Sequence, residues 1–326
     1  MNETAENVTL QEIEHDSEAF QFSRGKKIIE VKNFIKRYGN VRAVNDINFY
    51  VEEGMLFSFL GPNGAGKSTT IDTLCTLLDF NRGNITINGY DLRQNPEAIR
   101  RSIGVVFQDS LLDDLLTVRE NLQIRAGLYI KNKSAIKWKV NQVIDLLAID
   151  EFANRPYGKL SGGQRRRADI AVALLHTPKI LFLDEPTTGL DPQTRLIIWD
   201  TLKKLQQAGM TVFLTTHYME EAAESDYIIV IDHGKIAAKG TPAELRTQYA
   251  SDKLCITPSN EEQLLARLDE LNAEYTCVGS EIIINLPDTL ASLPILEDCK
   301  QHIGSFRVIQ GSMDDAFIGI TGRDIR

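Results

Sequence analysis

The chain lacks the residues and runs that would place it in several large protein classes. Its 326 residues include only 4 cysteines, Cys75, Cys255, Cys277 and Cys299, far apart and with no C-x-x-C pair. That spacing excludes a small disulfide scaffold and reads as reduced, mostly buried thiols in a cytosolic protein. Glycine and proline number 22 and 10, too few for a fibrous or low-complexity chain. No stretch approaches the roughly 18 consecutive apolar residues that a membrane helix needs. The N-terminus is acidic and has no apolar run, so it does not read as a secretory signal. A basic excess is missing as well: 36 Lys and Arg stand against 45 Asp and Glu, a net charge of −9. A generic binder of phosphate backbones is expected to carry a basic domain or stripe, so no nucleic acid is expected as the main partner.

What is present fits a soluble globular chain: 43% hydrophobic and 25% charged residues, with length for about two domains. Residues 1–25 are polar and hold Glu3, Glu6, Glu12, Glu14, Asp16 and Glu18, which reads as a disordered or loosely attached tail. From Ile28 the pattern changes. Residues 28–31 and 47–51 read as strands flanking a turn at Tyr38-Gly39-Asn40. Residues 55–60 are a short apolar run fit for a buried strand, and a helix is expected from Lys67 to about Leu78.

Between that strand and that helix lies Gly61-Pro62-Asn63-Gly64-Ala65-Gly66-Lys67-Ser68-Thr69, which fits G-x-x-x-x-G-K-[ST]. A phosphate chain needs many donors at close range. Glycines let the backbone turn its N–H groups inward, and the following helix adds its positive N-terminal end. Lys67 is suited to the β- and γ-phosphates of ATP, and the Ser68 hydroxyl to Mg²⁺. Ordinary composition produces the pattern in about one such chain in a hundred.

Two further elements follow. Residues 179–186 read Lys-Ile-Leu-Phe-Leu-Asp-Glu-Pro, an apolar strand presenting two carboxylates at its C-terminal end, where ligands bind in open α/β sheets. Asp184 would hold Mg²⁺, directly or through water, and Glu185 would orient and deprotonate an attacking water. Leu160-Ser161-Gly162-Gly163-Gln164 precedes three arginines and an apolar helical stretch. A serine and two glycines at a helix start make a second anion-binding end, which suggests another nucleotide face, contributed across a dimer.

In these ordered motifs the chain resembles the ATP-binding subunits of ABC transporters, over about residues 28–245. The resemblance implies an α/β fold: a P-loop NTPase core of ABC type with an inserted helical subdomain at about 109–160. Residues 26–245 form the ATPase domain in that reading. It also implies roles for single residues. Tyr38 matches the aromatic residue that stacks on adenine. Gln108 matches the glutamine loop that senses Mg²⁺ and the γ-phosphate. Asp191, in Gly189-Leu190-Asp191-Pro192, matches the loop that communicates between two nucleotide sites. His217 matches the switch histidine near the γ-phosphate. Ser161, Gly162, Gly163 and Gln164 would cover the ATP of a partner copy. The helical subdomain, where Thr117 and Glu120 have the spacing of a helix-start pair, would meet the membrane subunits. One departure is Arg155-Pro156-Tyr157-Gly158-Lys159, which lacks the acidic Glu-Arg-Gly element of many large exporters.

Residues 246–326 are additional to that core. Strand-like 253–256, helical 261–271, a hairpin of 275–278 and 281–285, a helix over 293–302 and a strand at 306–309 give the order βαββαβ. That order suggests a small ferredoxin-like α+β domain. The closing segment, residues 312–322, resembles the ending of drug- and antibiotic-resistance ATPases that work with ABC-2 type permeases; it serves packing of the extra domain, a dimer contact or ligand sensing. The implied function is a homodimeric ATPase that powers transport, in the direction of export, through separate membrane subunits. It would be cytoplasmic and peripheral on the cytoplasmic face of the membrane. The alternative is a soluble ABC-type switch acting on ribosomes or DNA. A single P-loop and the absence of a long heptad run count against it, and the presence of Glu185 and His217 counts against a module without turnover.

Overall fold

The computed structural model describes residues 25–322; the acidic tail, apart from residue 25, lies outside them. The chain divides into two compact units. One comprises Met1–His217 with Ile231–Ile236, the other Tyr218–Val230 with Ala237–Arg326.

In chain order the first unit holds β1 (Lys27–Tyr38), β2 (Val41–Glu52), β3 (Leu56–Leu60), α1 (Lys67–Leu74), β4 (Arg82–Ile87), β5 (Tyr90–Asp91), α2 (Pro96–Ser102) and β6 (Ile103–Val106). There follow α3 (Val118–Ala126), α4 (Lys133–Leu146), α5 (Asp150–Ala153), α6 (Gly162–Ala173), β7 (Ile180–Asp184), α7 (Pro192–Gln207) and β8 (Thr211–Thr216). An antiparallel sheet runs β2-β1-β4-β5. Beside it in sequence, β3, β8, β7 and β6 are consecutive neighbours in a second sheet, each pair parallel.

Parallel strands are covered on both faces, so they read as unbroken apolar runs instead of alternating ones. All five residues of β3 and all six of β8 are buried. Phe57 and Phe213 stack at 5.1 Å between ring centroids, with Phe59 5.9 Å from Phe213. The helical insertion shares a core with one side of this sheet: Val118, Leu122, Val143 and Ile144 cluster with Leu181, Leu183 and Leu214. Thr117 caps α3 in a reciprocal pair with Glu120, as its sequence spacing predicts.

Because the four strands are parallel and in register, their C-terminal ends share one edge. Leu60 pairs with Thr216, Asp184 with Thr215, and Val106 with Leu183. The residues that follow these ends are Gly61, His217, Glu185 and the Phe107-Gln108 pair. Four motifs spread over more than 150 positions of sequence therefore meet at one edge because of strand direction alone. The α1 helix ends at Leu74, short of the expected Leu78. Thr76 takes a left-handed φ of 64°, and the Leu77 N–H reaches back to the Asp72 carbonyl, which closes the helix there.

β9 (Tyr227–Asp232) and β10 (Lys235–Gly240) carry residues of both units. The second unit also has α8 (Met219–Ala222), α9 (Pro242–Tyr249), β11 (Asp252–Pro258), α10 (Glu261–Glu270), β12 (Tyr275–Val278), β13 (Glu281–Leu286), α11 (Ser292–Cys299), β14 (Ile303–Ile309) and α12 (Met313–Thr321). Its sheet has the order β12-β13-β11-β14, antiparallel throughout. Leu254, Ile256, Ile282, Ile284, Leu264 and Leu268 fill its core. The closing segment is a packing element. α12 buries Met313, Ala316 and Phe317, lies against α9, and fixes Asp315 to the Lys253 ammonium at 2.6 Å. Among the described residues no helix is long and apolar enough to cross a membrane.

Candidate functional site

The shared strand edge opens onto a cavity of about 550 Å³, lined by Asn63, Gly64, Gly66, Lys67, Ser68, Thr69, Gln108, Glu185, Thr188 and His217, with Ala43. The loop from Gly61 adopts a form that only glycine holds easily: φ is 80° at Gly64 and 110° at Gly66. Gly66 precedes α1, which has no acidic residue in its first turn. The positive N-terminal end of this helix thus has no competing carboxylate in its own first turn. The loop start is anchored by the Gly61 N–H, which donates to the Thr216 carbonyl at 3.2 Å.

Lys67 is only 4% exposed. Its ammonium donates to the carbonyls of Gly61 at 2.7 Å and Pro62 at 3.2 Å and lies 3.4 Å from Glu185 Oε1. Burial pulls its pKa below the ordinary lysine value, against the opposing pull of Glu185 and Asp184. On the other side of Glu185, His217 Nδ1 is 3.3 Å from the same carboxylate oxygen. Burial pushes the Glu185 carboxyl up, but Lys67 and His217 outweigh it and hold the group below its ordinary value. Glu185 is therefore ionised at neutral pH. Its backbone is strained: φ is 44° in a residue with a side chain, a conformation that costs about 1–3 kcal/mol.

That strain is held by neighbours. The Glu185 N–H donates to Thr215 Oγ1 at 3.0 Å, and the Thr215 hydroxyl donates to Asp184 Oδ1. The Thr188 hydroxyl donates to Glu185 Oε2 at 3.2 Å. Ser68, Gln108 and Asp184 offer a hydroxyl, a carboxamide oxygen and a carboxylate. That is the all-oxygen set a hard cation such as Mg²⁺ takes. Ser68 and Gln108 line the cavity; Asp184, the last residue of β7, precedes Glu185 and is outside the lining itself.

Other residues singled out in the sequence lie apart from this lining. Tyr38 ends β1 and is half exposed, with the Lys36 ammonium 5.0 Å above its ring. Pro62 and Ala65 belong to the loop without facing the cavity. Asp191 caps α7, accepting from the Thr194 N–H at 3.0 Å and from its hydroxyl. The turn of Ser161, Gly162, Gly163 and Gln164 does not line the cavity of its own chain. Ser161 and Gln164 satisfy each other, Ser161 N–H to Gln164 Oε1 at 3.1 Å and Gln164 N–H to Ser161 Oγ at 3.4 Å. Gly163 is needed for close approach. A Cβ there would stand 2.0 Å from Thr194 Cγ2, so the start of α6 packs directly on the start of α7.

The geometry agrees with the relatives of the chain. Residues 44–188 match the family model described as ABC transporter. The daunorubicin/doxorubicin resistance ATP-binding protein DrrA of Streptomyces peucetius is 35% identical over 306 residues, covering 91% of this chain and 93% of the relative. The linearmycin resistance ATP-binding protein LnrL of Bacillus subtilis is 34% identical, covering 92% and 100%. The chain belongs to the ATP-binding subunits of ABC transporters. Among solved structures it is similar to cbiO1 of Clostridium perfringens, part of an ABC transporter complex. The TM-score is 0.64 at 27% identity, covering 75% of this chain and 95% of the other. It is also similar to a dimeric ATP-binding cassette in a post-hydrolysis state bound to ADP and Pi, with a TM-score of 0.59 at 30% identity over 65% and 98%. As a family member the chain is an ATP-binding and ATP-hydrolysing subunit of a transporter. These relatives lend nothing to the reading as a ribosome- or DNA-linked switch.

Sequence reasoning missed Thr215 and Arg166. Both had a signal. Thr215 is a hydroxyl near the end of a strand that is otherwise rich in apolar residues and buried throughout, a polar group that must find a partner when buried. Arg166 sits at i+3 from Gly163 and i−4 from Ile170, all three buried, so helical spacing puts it on the inner face of α6. It is not part of a solvated basic cluster. Arg165 and Arg167 are tied down as well, donating to the carbonyls of Gly158 and of Leu147 and Ala148.

Proposed function

We propose that this ABC ATPase subunit binds ATP with Mg²⁺ at the strand-edge cavity, hydrolyses it between two copies of the chain, and drives export through an ABC-2 type permease. The observation that carries the reading is the convergence of Lys67, Gln108, Glu185 and His217 on one cavity behind the Gly61–Thr69 loop. The inward N–H groups of the loop and the start of α1 hold the phosphate chain. Lys67 moves its ammonium from the Gly61 and Pro62 carbonyls and from Glu185 onto the β- and γ-phosphates. That exchange leaves the Glu185 carboxylate free to orient the attacking water and take its proton. His217, beside Glu185, contacts the γ-phosphate. Ser68, Gln108 and Asp184 would hold Mg²⁺, which would supply positive charge to the phosphates. Tyr38 stacks on adenine.

The γ-phosphate is covered by Ser161, Gly162 and Gly163 of a second copy, with Gln164 completing the turn. This is supported by the absence of that turn from the lining of its own cavity. The closed pair forms with ATP because only the closed state makes those contacts, and hydrolysis to ADP and phosphate removes them. Asp191 carries the change between the two sites. A second cavity, of about 280 Å³, lies beside the Gln108 segment and the helical subdomain. Asp109, Leu111, Leu128 and Tyr129 line it, and we assign it to a cytoplasmic segment of the permease. On this reading the chain works in the cytoplasm, at the membrane face, without nucleic acid. Residues 26–245 are the ATPase domain, with its helical subdomain at about 109–160, and 246–326 an accessory one. The βαββαβ order and the strand order β12-β13-β11-β14 support a ferredoxin-like class for the latter.

The test is Glu185→Gln in the full chain. It should bind ATP as the wild type does and accumulate as a closed dimer, with turnover down by about 10²–10⁴-fold. Undiminished ATPase activity would remove Glu185 from its role. Purification of the wild type from native membranes should bring a polytopic membrane protein with it; recovery of ribosomes instead would remove the transport partner.

A further inference from the structure

Arg166 is 7% exposed, and every hydrogen bond of its guanidinium runs to main chain. Nε donates to the Pro186 carbonyl at 2.7 Å, Nη2 to the Glu185 carbonyl at 3.0 Å, and Nη1 to the Phe107 carbonyl. Phe107 immediately precedes Gln108. Glu185 is the strained residue whose carboxylate faces Lys67. One side chain therefore grips the backbone of two separate segments that supply the cavity. A planar guanidinium is suited to this, because its fork of five donors is rigid where a lysine ammonium is a single mobile point.

The grip continues one turn along the same helix. Asp169 accepts from the Ser110 hydroxyl at 2.6 Å and from the Tyr157 hydroxyl at 3.1 Å. Residues 107–110 are thus held at one end by Arg166 and at the other by Asp169. Between these pins, Gln108 faces the ATP cavity and Asp109 faces the second cavity. Asp169 also sits near Arg166 and helps keep the buried guanidinium charged, against its burial. All of these groups radiate from α6, whose first residues follow Ser161.

We infer that Arg166 is a positioning residue of the ATPase: it fixes Gln108 and Glu185 relative to the helix that begins at Ser161. The inference rests on the ATPase site proposed above and adds a connection within one chain. The start of α6 meets the nucleotide held by the other copy, while its Arg166 holds the backbone at the nucleotide of its own copy. A shift of α6 on nucleotide contact at one site therefore moves the water-activating carboxylate and the glutamine at the other.

The experiment compares the full-length wild type with Arg166→Lys, by steady-state ATPase kinetics and by titration with a fluorescent ATP analogue. Lysine keeps the charge and loses the fork. The expected result is an analogue affinity and a KM for ATP within about twofold of wild type, with kcat reduced by about 10- to 100-fold, the signature of misplaced groups in a still-formed binding site. Arg166→Gln, which buries no mismatched charge, should show the same split; if the Lys variant melts early, the Gln variant decides. An unchanged kcat in a folded variant, or a rise in KM with kcat constant, would overturn the inference while leaving the site intact. Absence of turnover in the wild type would overturn the ATPase reading itself, and this inference with it.

Discussion

Two glycine-rich helix starts on this chain, Gly61–Thr69 before α1 and Ser161–Gln164 before α6, share their chemistry and differ in what surrounds them. Both offer N–H groups at a helix end with no acidic residue in the first turn. The first opens onto a cavity that already holds Lys67, Glu185 and His217. The second has no such company among the described residues, and its Ser161 and Gln164 satisfy one another. The lesson is that a helix end is a site only where other elements bring it a counterpart. Strand direction brings one to Gly61; on the function proposed above, another copy brings one to Ser161. Three other helices among the described residues start with the same reciprocal cap, at Thr117, Thr241 and Ser312, and each carries an acid three residues on: Glu120, Glu244 and Asp315. At Ser161 that position is a neutral glutamine, so this end alone of the four keeps its attraction for a phosphate.

The sharpest way to break the comparison is to damage each helix start in a different copy. Lys67→Ala removes the cation of the first, and Ser161→Glu sets a carboxylate at the second. Each variant alone should turn over ATP at less than about a tenth of the wild-type rate. If the Ser161 end of one chain serves the cavity of another, an equal mixture contains mixed dimers with one undamaged composite site. Half the dimers with half their sites intact give about a quarter of wild-type turnover. Catalysis confined to single chains would give no recovery on mixing.

The asymmetry between what was and was not legible in the sequence has the same origin. The loop at Gly61, the carboxylates at Asp184 and Glu185 and the turn at Ser161 are local patterns, each with its own physical signature. Their relative placement follows from parallel strands, and continuous apolar runs such as Leu56–Leu60 give that away. Contacts that depend on a side chain crossing between elements were not legible. The Thr215 hydroxyl under Asp184 and the Arg166 grip on Phe107 and Glu185 join residues 31, 59 and 19 positions apart; local pattern signals that Thr215 and Arg166 are buried, but not which partners they reach. The left-handed φ of Glu185 is likewise a product of its surroundings, since glutamate has no preference for it. The end of α1 at Leu74 instead of Leu78 was missed because the stretch is helix-compatible throughout, and the tertiary context decides where it stops.

A moderate effect is expected from pH, and it separates the two helix starts because only the first contains a titrating group. Burial lowers the Lys67 pKa, so the buried ammonium loses its proton at a pH below the ordinary lysine value of about 10.4. As pH rises through that depressed value, the charge that meets the phosphates disappears and ATP affinity falls. Below that value the ammonium is present and affinity is full. Titration of an ATP analogue across the alkaline range should therefore show weakening at lower pH than free lysine predicts. Lys67→Arg, which stays charged throughout, should lose that dependence whatever its absolute affinity. A wild-type curve flat up to the ordinary lysine range would mean that the phosphates are held without the Lys67 charge.

The smallest change is the most direct probe of the difference between the four capped helices. Gln164→Glu gives the Ser161 helix the acid that Thr117, Thr241 and Ser312 already have. Glutamate caps the Ser161 N–H as well as glutamine does, and it complements the helix dipole, so stability should hold or rise slightly. The same carboxylate then stands against the γ-phosphate of the opposing copy. An exposed charge at a helix end is worth about 0.3–1 kcal/mol, which corresponds to a two- to fivefold loss of turnover. Because the carboxylate is exposed, raising the salt concentration should restore part of the loss by screening it. Equal turnover in Gln164→Glu and wild type at low salt would mean that no phosphate approaches this helix end, and the distinction between the two glycine-rich starts would lie in sequence alone.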